Sequence, residues 1–128
     1  MPQRRATVLI ADDSEDTREM YAEYLRFVGR FDVDTAVDGS DAMRKALAQP
    51  PDVLVLDLTM PGLTGWEVAA RLKAEARTKH VRIIAVSGHA VAGAEEMTRK
   101  AGVDAYLVKP CLPEALAEEI GRQLGKAR

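Results

Sequence analysis

Five short apolar runs, each followed by a segment with helical spacing, constrain this chain more than any other feature. The runs are ATVLIAD (6–12), FDVDTAV (31–37), DVLVLD (52–57), VRIIAVS (81–87) and AYLVK (105–109). Near-continuous apolar runs of this length suit strands buried on both faces, whereas the alternation in the second run suits an edge strand. The segments between them read as helices. Ser14 is a natural N-cap, with Glu15 and Asp16 in the first turn near the positive dipole end. Met20, Tyr21, Tyr24, Leu25 and Val28 then recur at helical spacing before Gly29. A second helix carries Ala42, Met43, Ala46 and Leu47 and stops at Pro50-Pro51. A third spans Trp66 to Ala76 with Val68, Ala69 and Leu72 inward, a fourth spans Glu95 to Ala101, and a fifth opens at Pro113 and carries Leu116, Ile120 and Leu124.

Five β-α units of about 25 residues each are near the minimum for a parallel crossover unit. Strands this apolar belong in a parallel sheet covered on both faces, and right-handed crossovers leave few topologies. Five units are too few for the eight-stranded barrel. The expected fold is therefore an α/β, doubly wound (βα)5 with a five-stranded parallel sheet. With 128 residues and no linker or low-complexity segment, the chain reads as one domain over 1–128, its core about 6–125.

Charge excludes some functions. Eighteen basic and twenty acidic residues leave a net charge of −2, which offers no general attraction for nucleic acid or a membrane surface. No apolar stretch approaches the roughly 20 residues that span a bilayer. The opening MPQRRATVLIADD lacks the long apolar region of a signal peptide, so a cytoplasmic protein is expected, without membrane insertion and without direct nucleic-acid binding. Cys111 is the sole cysteine and reads as a packing residue. Trp66 reads as structural, the methionines at helical spacing as core filler, and Arg4 and Arg5 as a solvated start.

In an open parallel sheet, ligands bind beyond the carboxyl ends of the strands. At those ends stand Asp12 and Asp13, Asp57, Ser87, and Lys109 followed by Pro110. Three carboxylates placed together repel, and one takes up a proton unless a cation holds them all ionised. An all-oxygen donor set favours Mg²⁺ or Mn²⁺ over zinc. Mg²⁺ keeps waters and binds phosphate, Lys109 offers a compact positive charge for a phosphate oxygen, and one carboxylate is left as a nucleophile. The site reads as one built for a phosphoryl group. Neither glycine-rich nucleotide-binding pattern occurs.

The motifs IADDS, VLDLTMPGLTG, AVSG and AGVDAYLVKP, in this order and each at a strand end, resemble the receiver domain of two-component response regulators, close to the single-domain chemotaxis type. The resemblance covers residues 6 to about 125 and implies the flavodoxin-like strand order 2-1-3-4-5. It implies that Asp57 is the phosphoacceptor and that Asp13, Asp57 and the backbone carbonyl of Thr59 bind Mg²⁺, with Asp12 helping through water. Lys109 then pairs with the phosphate, Ser87 bonds a phosphoryl oxygen, Tyr106 turns inward, and Pro110 is cis. The donor is a phosphohistidine on a sensor histidine kinase or a phosphotransfer protein. The domain catalyses only its own phosphorylation and dephosphorylation, so it is not an enzyme acting on other substrates.

The resemblance also implies that the output is read by a downstream protein on the face of the fourth helix, fifth strand and fifth helix. The expected state is a monomer or a phosphorylation-dependent dimer. Thr59 and His89, two places after Asp57 and Ser87, occupy positions that tune phosphate lifetime in such domains. A degenerate receiver, binding partners without phosphate, is the alternative, but its usual mark is a missing acid or lysine. A phosphohydrolase usually carries a second acid where this chain has Thr59.

Overall fold

The structure is a computed structural model and describes residues 4–88 and 93–126, so His89 lies outside the described residues. Strands and helices alternate: β1 (Thr7–Ala11), α1 (Glu15–Phe27), β2 (Asp32–Ala36), α2 (Gly39–Ala48), β3 (Val53–Asp57), α3 (Gly65–Ala74), β4 (Arg82–Ser87), α4 (Ala94–Lys100), β5 (Ala105–Val108) and α5 (Pro113–Lys126). The five strands form one parallel sheet in the order β2-β1-β3-β4-β5. This is the doubly wound sheet expected from the alternating pattern. β2, the strand that alternates, is an edge.

Successive side chains of a strand point to opposite faces, and each face here carries its own core. On one, Val8, Ile10, Val53, Val55, Ile84 and Val86 pack against Tyr21, Ala22 and Leu25 of α1 and Leu116 and Ile120 of α5. On the other, Leu9, Leu54, Leu56 and Ile83 pack against Ala42 and Ala46 of α2 and Val68, Ala69 and Leu72 of α3. The central strands are continuously apolar because both of their faces are covered.

Helix starts follow their caps. The Ser14 hydroxyl accepts from the Thr17 N–H, and Asp38 caps α2 through the Asp41 N–H. A Thr64–Glu67 capping box places the start of α3 at Gly65, one residue earlier than the apolar spacing indicates. A Cβ at Gly65 would lie 2.7 Å from the Asp57 carbonyl oxygen and 2.8 Å from the Leu58 Cα. Glycine therefore lets α3 begin against the end of β3. α4 is the shortest helix of the described residues. It has no side-chain N-cap bond and buries only Ala94 and Thr98.

Three residues read as core are on the surface: Met20 (45% exposed), Val28 (61%) and Met97 (50%). Val28 is the C-cap of α1, where the chain turns off the sheet, and Met20 faces away from the buried Tyr21–Ala22–Leu25 side. Met60 is buried.

Candidate functional site

The carboxyl ends of β1, β3, β4 and β5 bring the site together. Asp57 is the last residue of β3 and only 5% exposed. Asp12 follows β1 and is also buried, while Asp13 beside it is exposed. Ser87 ends β4 and is buried. Lys109 follows β5, where its N–H donates to the Ser87 carbonyl at 2.8 Å and extends the β4–β5 pairing by one bond. Its Nζ lies 3.1 Å from Asp12 Oδ2 and 3.7 Å from Asp57 Oδ2. The Lys109–Pro110 peptide bond is cis.

The two buried carboxylates are held by local donors. Asp12 Oδ1 accepts the Ser14 N–H at 2.9 Å, which fixes the turn into α1. Arg18, one turn into α1, donates to the Asp12 carbonyl at 2.8 Å. Asp57 Oδ1 accepts both the N–H (3.1 Å) and the hydroxyl (3.3 Å) of Thr59. Oδ2 of Asp57 is thus the oxygen that faces Lys109. Behind the site, the Tyr21 hydroxyl donates to the Cys111 carbonyl at 2.7 Å and ties α1 to the turn after Pro110. Burial, helped by Cys111 and by the negative charge of Asp12, pushes the Tyr21 phenol up to about 12.

Asp12, Asp13 and Asp57 each present an oxygen, and these oxygens lie within 4.8 Å of one another. Among the described residues, three carboxylates with only the Lys109 ammonium in ion-pair contact leave a local excess of negative charge. A hard divalent cation suits this donor set, since it is all oxygen and contains no nitrogen or sulfur ligand.

The sequence matches the response regulator receiver domain family over residues 8–121. The chain belongs to that family. It is similar to the polar-differentiation response regulator DivK of Brucella ovis, with 31% identity over 121 residues, 94% of this chain and 98% of DivK. Among solved structures, the chemotaxis protein CheY4 of Vibrio cholerae is 31% identical with a TM-score of 0.86, covering 93% of this chain and 98% of that one. A CheY-like receiver of Methanospirillum hungatei shares the fold with a TM-score of 0.90 at 24% identity, over 97% of both chains. The protein is thus a receiver domain of two-component signalling.

The residues singled out in the sequence fall into three groups. Asp12, Asp13, Asp57, Thr59 and Lys109 gather around the acidic cluster, with Ser87 at the adjoining strand end. Tyr106 stands apart on β5, half-buried, bordering a groove of about 610 Å³ beside Glu95, Glu96 and Arg99 of α4. His89 is outside the described residues.

Several contacts have no sequence signal. The Thr59 hydroxyl on Asp57, the Arg18 bond to Asp12 and the Tyr21 bond to Cys111 depend on side-chain reach in the folded chain. So does Trp66, whose indole N–H donates to the buried Thr98 hydroxyl at 3.1 Å and joins α3 to α4. Among the described residues, no helix is long and apolar enough to cross a membrane.

Proposed function

We propose that this receiver is a phosphorylation-controlled signalling switch in which Asp57 takes a phosphoryl group from a phosphohistidine on a sensor histidine kinase or phosphotransfer protein. The observation that carries the proposal is the placement of Asp57: a buried carboxylate at the end of β3, beside Asp12 and Asp13, with Lys109 over its Oδ2. Asp12, Asp13 and Asp57, with the Thr59 carbonyl, would hold Mg²⁺ (or Mn²⁺), which when bound supplies charge neutralisation for the transferred phosphoryl oxygens.

The chain's own residues do the rest. Thr59 orients Asp57 by holding Oδ1, which leaves Oδ2 as nucleophile. As the new O–P bond forms at Oδ2, the P–N bond to the donor imidazole breaks and that nitrogen regains a lone pair. Lys109, already beside Oδ2, balances charge on the phosphoryl oxygens. Asp12 keeps the ammonium in place through its 3.1 Å contact. The acyl phosphate is later hydrolysed in the same site, so the chemistry is self-directed and the protein is a switch and not an enzyme for external substrates.

Phosphate adds charge and acceptor oxygens at the sheet edge. Ser87, at the adjoining strand end, bonds the phosphoryl oxygen, and Tyr106 turns inward along β5. The face of α4, β5 and α5 changes with them and is read by a downstream protein in the cytoplasm. The light anchoring of α4, through Ala94 and Thr98 alone, supports movement there.

Acetyl phosphate with Mg²⁺, followed by intact mass, tests the reading. The wild type gains about 80 Da, the mass of one phosphoryl group. Asp57→Asn gains nothing, and a chelator abolishes the gain. Absence of labelling by both acetyl phosphate and a phosphohistidine donor, with Mg²⁺ binding intact, would show a phosphate-independent binding module instead.

A further inference from the structure

Charged side chains on α1 lack the ion pairs within the helix that α2, α4 and α5 carry. On α2, Arg44 and Lys45 pair with Asp41; on α4, Arg99 and Lys100 pair with Glu96; on α5, Arg122 pairs with Glu119. On α1 the exposed acids come first (Glu15, Asp16, Glu19, Glu23) and the exposed base, Arg26, comes last, donating to the Val33 carbonyl at 3.0 Å, with Arg30 just beyond the helix; Arg18, among the acids, is turned to the Asp12 carbonyl. None of the six exposed side chains has an ion-pair partner among the described residues.

The helix dipole accounts for Glu15 and Asp16 in the first turn and Arg26 in the last. Its influence fades within one turn, so it does not account for Glu19 and Glu23. Those two are like charges at i and i+4, an arrangement that weakens an isolated helix. Exposed apolar side chains share the same outer face. Met20 and Phe27 (76% exposed) alternate with Asp16 and Glu23 at helical spacing, opposite the buried Tyr21, Ala22 and Leu25.

We propose that this face of α1 binds the same face of a second copy of the chain, with the two helices antiparallel about a two-fold axis. An acidic half followed by a basic half is complementary to itself only when reversed, as an isologous contact requires. With the axis passing near Ala22 and Glu23, Glu19 of one copy faces Arg26 of the other, and symmetry repeats the pair. Met20 meets Phe27. The two Glu23 side chains lie closest to the axis, each flanked by Arg26 from the opposite copy. Apolar contacts at the centre and charges around them give the usual interface layout. A single helix face lies at the small end of specific interfaces, so the dimer is weak and forms at high protein concentration. This contact is separate from the α4–β5–α5 face and does not depend on phosphate.

Sedimentation equilibrium of the full chain over a wide concentration range tests this. The apparent mass rises from 14.0 kDa towards twice that value as concentration increases. Glu19→Arg alone and Arg26→Glu alone each weaken association about tenfold, since each sets like charges against each other. An equimolar mixture of the two variants associates as well as the wild type, because the arginine introduced in one chain then faces the glutamate introduced in the other. Both positions are exposed, and circular dichroism verifies that the variants are folded. A mass of 14.0 kDa at every concentration would overturn the proposal, as would association that is insensitive to both reversals, or a mixture that stays monomeric.

Discussion

The two ends of the sheet treat the same residue type in opposite ways. At the end where strands begin, Asp52 and Asp104 are each matched. Asp52 accepts the Thr7 N–H at 2.8 Å and the Thr7 hydroxyl at 3.2 Å, and it pairs with Arg4. Asp104 accepts the Ile83 N–H at 2.8 Å and pairs with Lys73 and Arg82. At the end where strands finish, Asp12, Asp13 and Asp57 crowd together around one lysine. The first arrangement uses acids to hold strands in register. The second leaves negative charge in excess, which costs stability until a cation is bound. Stability and function are thus divided between opposite edges of one sheet.

The strongest test sets one acid from each end against the other. Asp104→Ala removes the acceptor of the Ile83 N–H and one ion-pair partner each from Lys73 and Arg82, and is expected to lower urea-unfolding stability by about 2–3 kcal/mol. Asp13→Asn relieves repulsion and is expected to leave stability unchanged or raise it by up to about 1 kcal/mol. An equal loss in both variants would break the comparison. The next effect is that of Mg²⁺. At ten times its Kd, it should stabilise the wild type by about 1.4 kcal/mol. Asp13→Asn should lose most of that gain, whereas an acid variant at the other end, such as Asp52→Asn, should keep it, as thermal melts with and without a chelator would show.

Two pH effects are smaller. Tyr21 has a folded pKa of about 12 against an ordinary 10.0, so its contribution is complete below pH 10 and is lost as pH rises towards 12. Phenolate absorbance should show one late-titrating tyrosine, absent in Tyr21→Phe. For Asp52, burial acts to raise the pKa, but the Thr7 N–H and Arg4 outweigh it and hold the carboxyl below 3.8. Its contribution is therefore present above about pH 4 and lost as pH falls through the lower folded value. Acid denaturation should begin less steeply in Asp52→Asn than in the wild type.

Much of this molecule is legible without coordinates, because the relevant signals are local. A strand buried on both faces must be apolar along its length, and a helix on the sheet must repeat its apolar side chains every three or four residues. Those rules placed the ten elements to within a residue or two and put Asp12, Asp13, Asp57, Ser87 and Lys109 at strand ends, where a parallel sheet gathers its ligands. The misplaced details were those that periodicity does not encode. Met20 and Met97 lie on the exposed sides of α1 and α4, and Val28 lies where α1 ends.

The contacts that set the site's geometry lay beyond the sequence for a related reason. Lys109 meets Asp12 across 97 positions, Tyr21 meets the Cys111 carbonyl across 90, and Trp66 meets Thr98 across 32. The type and position of each residue are written in the chain, but a hydrogen bond needs donor and acceptor within about 3 Å. Sequence alone determined the alternating architecture and which acids and lysine share an edge. Only the tertiary structure decided that Thr59 holds Oδ1 of Asp57 while Oδ2 faces Lys109, and that Asp52 and Asp104 each stand alone among their donors while Asp12, Asp13 and Asp57 crowd together. Periodicity acts along the backbone, whereas these pairings depend on how far each side chain reaches once the sheet has brought distant segments together.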